Sequence, residues 1–134
     1  MRILRPQVTI NGGVAQWSVG LEPPDLARAA GAFLALCDAD IKARKLPPLY
    51  ASGVRYRRES AGAERWQLPH QTLALGYGDC EDLAGWRAAE LRALGERCTL
   101  VFRKSGPRLW HAVVRRANGV IEDPSAALGM RGAA

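Results

Sequence analysis

The chain has 134 residues, 48% of them hydrophobic and 24% charged, with a formal net charge of +6 at pH 7. That length and composition suit one globular domain, and the absence of any run of 18 apolar residues excludes a helical membrane span. Three cysteines without a Cys-x-x-Cys, beside two histidines, exclude a disulfide framework and a structural zinc site and suit a reducing compartment.

In chain order, residues 2–10 (Ile3, Val8, Ile10) and 14–19 (Val14, Gln16, Trp17, Val19) alternate like strands on either side of Asn11-Gly12-Gly13. Asn-Gly tolerates positive φ at both turn positions, so 2–20 are expected to form a β-hairpin, with an edge available for pairing with another chain. The opening Met1-Arg2-Ile3-Leu4-Arg5-Pro6 is basic but lacks the apolar segment and cleavage site of a secretory signal. A cytoplasmic protein is expected. Pro23-Pro24-Asp25 announces a helix over 25–45, capped by Asp25, with Leu26, Ala30, Phe33, Leu34, Cys37 and Ile41 on its apolar face. Leu46-Pro47-Pro48 ends it. A short basic strand is expected within Val54–Arg58 and a loop at Ser60–Ala63.

The stretch Gly78-Asp79-Cys80-Glu81-Asp82 places a cysteine where a glycine-rich loop gives way to a helix, which runs from Glu81 to about Leu94 with Gly95 as its stop. At a helix N-terminus the unpaired backbone N–H groups favour thiolate over thiol, which lowers a cysteine pKa below its free value of roughly 8.5. Beyond Gly95 the period changes. Cys98–Phe102, Leu109–Val114 and Val120-Ile121 read as antiparallel strands, joined at Lys104–Pro107 and Asn118-Gly119, and the tail 126–134 is rich in small residues. Cys37 and Cys98 fall on core-facing positions. A helix carrying a cysteine packed on an antiparallel sheet is an α+β architecture.

A cysteine nucleophile needs an imidazole to accept its proton, and the imidazole needs a carboxylate to fix its tautomer. His111 in Trp110-His111-Ala112-Val113-Val114 and Asp123 in Asp123-Pro124-Ser125 supply both, in the order Cys80, His111, Asp123. Glu122 is a less suitable orienter, since alternation turns it to the other face. His70 ranks below His111 as base because no carboxylate follows it at a useful place. The transition-state oxyanion needs donors: the Cys80 backbone N–H is one, and Gln71, Gln67 or the indole of Trp66 offers another. Asp79, Glu81 and Asp82 suit the positive end of the helix; several carboxylates together also describe a calcium site.

Trp66-Gln67-Leu68-Pro69 leading to Gly78-Asp79-Cys80-Glu81-Asp82, then Glu90–Gly95, His111-Ala112-Val113-Val114 and Asp123-Pro124-Ser125, resembles the transglutaminase-like cysteine enzyme superfamily. Within it the pattern is most similar to the bacterial transglutaminase-like cysteine proteinases, which include calcium-dependent members, and small phage and prophage proteins are also of this type. The resemblance covers about residues 64–125 of the single domain 1–134. It implies a papain-like core and a thiol hydrolase that cleaves an amide or peptide bond through a thioester. Two other functions accompany it: a phage tail or neck structural protein on the same scaffold, and a peptidoglycan amide hydrolase or acyl transferase. A protein or peptide is the expected substrate. The scattered arginines suit anionic partners, but no nucleic-acid motif or aromatic interleaving accompanies them, so nucleic acid is not an expected partner.

Overall fold

The computed structural model describes residues 7–10, 15–18, 23–58, 65–106 and 109–130. The loop expected at Ser60–Ala63 lies outside them. Helix α1 (Pro23–Ala43) is the first long element. It begins two residues before the expected cap, because proline is well tolerated in a first helical turn, and ends two residues early. Ala30, Phe33, Leu34 and Cys37 are buried along one face, as spacings of three and four residues require. After a short 3-10 turn (Leu49–Ala51) come β3 (Arg55–Tyr56), β4 (Arg65–Trp66), α2 (Pro69–Leu75) and β5 (Tyr77–Gly78).

Helix α3 (Cys80–Ala93) is central, packed on α1, on α2 and on the sheet. It starts one residue earlier than expected because Asp79, not Cys80, is the N-cap: the Asp79 side chain accepts from the Cys80 N–H, and Asp82 Oδ2 accepts from the Asp79 N–H at 3.0 Å. This reciprocal box satisfies donors that a helix start leaves open. At the other end Gly95 sits at φ +96°, its N–H donating to Arg92 O (3.0 Å) while Glu96 N–H donates to Leu91 O (3.1 Å). Both bonds need a left-handed residue at that point, which glycine adopts without strain. Gly85 permits the close approach of α1: a Cβ there would lie 2.4 Å from Phe33 Cε2 and 3.2 Å from Cys37 Sγ.

β6 (Thr99–Gly106), β7 (Leu109–Arg115) and β8 (Ile121–Glu122) form an antiparallel sheet in that order, with Phe102 opposite Ala112, Arg103 opposite His111 and Val114 opposite Glu122. Its core-facing side lies against α1 and α3, where Phe33, Cys37, Trp66, Ala84, Leu100, Ala112 and Val114 form the main core. The architecture is α+β. A second cluster of Leu49, Val54, Leu83, Trp86 and Leu128 lies beside it.

Two features differ from the sequence expectation. β1 (Gln7–Ile10) and β2 (Ala15–Ser18) pair as an antiparallel hairpin, but β1 also pairs in parallel with β4, Ile10 opposite Trp66, so one hairpin edge is used within the chain. The small-residue tail expected at 126–134 starts inside α4 (Pro124–Ala127), and its Leu128, 7% exposed, is packed into the second cluster. Burying a leucine side chain contributes about 1.5–3 kcal/mol toward holding this end of the chain.

Candidate active site

Cys80 opens α3 and is buried. Its thiol donates to Glu81 Oε2 at 3.1 Å, and its backbone N–H donates to Asp79 Oδ1 at 2.8 Å. Ala112 of β7 lies in the same core cluster as Cys80. Burial, followed by the charges of Glu81 and Asp79, raises the Cys80 pKa well above the ordinary thiol value, and the Ala112 backbone opposes them only in part. This overturns the expectation of a lowered pKa. The partial charge of a helix end is outweighed when the thiol is desolvated beside full negative charges.

His111 stands on β7 next to Ala112 and is buried, with Nε2 2.8 Å from Asp123 Oδ2. A carboxylate only accepts, so Nε2 carries the proton and Nδ1 is the acceptor. Asp123 is held from two sides. It is the N-cap of α4, Oδ1 accepting from Ala126 N–H at 3.3 Å, and Arg103 Nη2 lies 3.8 Å from Oδ2. Glu122 faces away, as alternation requires, toward Arg87 Nε (2.6 Å), Arg116 Nη1 (2.8 Å) and the Tyr50 hydroxyl. His111 and Asp123 are therefore brought together, and Cys80 is brought against the adjoining residue of the same strand. The thiol's side-chain partner in this state is Glu81 and not His111.

The three oxyanion candidates separate. Gln71 Oε1 accepts from Leu68 N–H at 2.9 Å, a cap at the start of α2. Gln67 is tied to the start of α3, its backbone N–H donating to Asp82 Oδ1 at 2.7 Å, while its Oε1 accepts from Thr72 Oγ1 at 3.1 Å. That orientation turns the Gln67 amide N–H groups away from Thr72. Trp66 is wedged between Phe33 and Phe102, at ring distances of 5.3 and 5.5 Å, and its buried indole N–H has no hydrogen-bond partner among the described residues. The Cys80 N–H, expected as the first donor, is engaged by Asp79.

Asp79, Cys80 and Glu81 bring one ligand atom each within 4.8 Å of one another. Asp82, grouped with them from sequence, instead braces backbone through both oxygens. Calcium takes six to eight hard oxygen ligands, and a sulfur in the set suits it poorly.

Other groups near the site had no sequence pattern to reveal them. Tyr56 lies opposite Gly78 across the β3–β5 pair, and its phenol is raised above its ordinary value by burial and then by the negative charges of Asp79 and Glu81, so it stays a donor. His70 takes its carboxylate from upstream rather than from the residues that follow it: Asp40 of α1 sits 2.7 Å from Nδ1 and accepts from the His70 backbone N–H at 2.9 Å.

Compared with protein families, curated proteins and solved structures, the chain matches none of them.

Proposed function

We propose that the protein is a thiol hydrolase acting on an amide bond of a protein or peptide, on a papain-like core of the transglutaminase-like type. The observation that carries this reading is the 2.8 Å His111–Asp123 hydrogen bond, on the strand whose next residue, Ala112, shares a core cluster with Cys80. In the reaction the thiol proton passes to His111 Nδ1 and the sulfur attacks the carbonyl carbon. The tetrahedral oxyanion collapses to a thioester as His111 returns the proton to the leaving amine. Water, deprotonated by His111, then releases a carboxylic acid. An amine in place of water gives acyl transfer by the same route, and a murein amide in place of a peptide gives cell-wall cleavage. Gln67 is assigned as the side-chain donor to the oxyanion: Asp82 ties its backbone to the start of α3, and its amide N–H groups are turned away from Thr72. Before attack the thiol must leave Glu81 and the Cys80 N–H must leave Asp79.

Those two contacts favour a second reading, in which the chain is a phage or virion assembly protein whose site is dormant. The experiment that separates the readings is turnover of unstructured protein and of purified peptidoglycan, with and without an added primary amine, by the wild type and Cys80→Ala. Cleavage or amine incorporation lost in the variant supports the enzyme; product formed equally by both ends that reading. Absence of turnover, together with iodoacetamide labelling of Cys80 that rises only above the usual thiol pKa, favours the dormant scaffold.

A further inference from the structure

A groove of about 680 Å³ lies at the C-terminal end of α3, walled by the last turns of α1 and α3, the segment 95–99 and the end of β7. At 1.5 Å per helical residue it is about 20 Å from Cys80, too far to be part of the reacting centre. Its chemistry has two layers. Arg92 and Arg116 are fixed: Arg92 pairs with Asp38 (3.1 Å) and donates to Cys98 O (3.2 Å), and Arg116 pairs with Glu96 through two nitrogens (2.5 and 2.6 Å). Lys42, Arg97 and Arg115 are exposed and have no ion-pair partner among the described residues. The end of α3 does not cancel this charge, since the Leu91 and Arg92 carbonyls are already answered by Glu96 and Gly95.

We propose that this groove docks an acidic segment of a protein partner, its side-chain carboxylates taken by Lys42, Arg97 and Arg115. Guanidinium groups bind carboxylates in pairs of parallel hydrogen bonds, and three cations brought from three separate elements match spaced carboxylates. An acidic peptide is favoured over nucleic acid for two reasons. Among the described residues no aromatic ring lines the groove to stack a base, and Asp38 and Glu96 in its wall oppose a continuous phosphate chain. The inference stands apart from the proposed reaction, since none of these residues belongs to the thiol site.

The test is fluorescence anisotropy of the full chain with a labelled oligoglutamate peptide, an oligothymidylate of equal charge, and inorganic phosphate as competitor. The peptide is expected to bind more tightly than the oligonucleotide, with affinity falling as salt is raised. Arg97→Gln with Arg115→Gln should weaken it at least tenfold at unchanged melting temperature, while Arg57→Gln with Arg58→Gln, exposed on another face, should not. Equal loss in both double variants, or a preference for the oligonucleotide, overturns the proposal. So does absence of peptide binding, or displacement by millimolar phosphate.

Discussion

At the N-terminal end of α3, Asp79, Cys80, Glu81 and Asp82 are all buried and the charge is negative; at its C-terminal end Arg92 and its basic neighbours stand around an open groove. Charge complementing the helix dipole places acids at the first end and bases at the second. What differs is solvent. Burial first, and then the neighbouring acids, raise the thiol pKa and favour its protonated form, whereas the exposed bases are screened and remain available to a partner. The same dipole rule thus gives a restrained thiol at one end and open basic side chains at the other.

The largest effect expected at the first end is on turnover. Asp123→Asn, which leaves the α4 cap an oxygen acceptor, should lower kcat/KM by about 10²–10⁴ with the fold retained, read by steady-state kinetics beside circular dichroism. Next comes stability. Asp82→Ala leaves the buried Gln67 and Asp79 N–H groups without acceptors and should cost about 2–5 kcal/mol in urea unfolding, with Asp82→Asn costing less. A loss as small as an exposed pair's would erase the distinction between buried and open ends.

A smaller change sharpens the comparison directly. Glu81→Gln removes the charge that holds the thiol up, so iodoacetamide labelling of Cys80 at neutral pH should become roughly tenfold faster. An unchanged rate would mean that burial alone restrains the thiol. The smallest effects are the two pH edges. Cys80 and Cys37 have raised pKa values, so the folded chain keeps protons that the unfolded chain loses, and stability falls as pH rises past the usual thiol value of about 9.0. Glu96 and Glu122 are lowered by bonds to Arg116 and Arg87, so the stability they add above their usual value of about 4.5 fades as pH falls below it. Melting curves of Cys37→Ala and Glu122→Gln across pH 3–10 should each flatten one edge and leave the other.

Local chemistry made much of this readable. Asn11-Gly12 marked the hairpin, the spacing in α1 marked its buried face, and Gly95 stopped α3 because only a left-handed residue completes that end. The order Cys80, His111, Asp123 brought the site residues into view, and alternation separated Asp123 from Glu122. What stayed hidden depends on packing between distant segments. The side-chain orientation of Glu81, the Asp40–His70 contact, the place of Tyr56 and the burial of Leu128 have no local period. The lowered thiol pKa expected at Cys80 failed for the same reason: a dipole is legible in sequence, and desolvation is not.

The pairing of β1 with β4 also bears on the order in which the molecule assembles. The hairpin itself is local and closes on the microsecond scale. Its seat requires residues as far apart as Thr9 and Arg65 to meet, with α1 and the 3-10 turn between them. Contacts of such separation cost loop-closure entropy before they return any stabilisation, and they slow the passage to the native state. Cutting the chain between the hairpin and α1 should therefore leave the main core able to form, while delaying or losing the pairing of β1 with β4 beside Trp66.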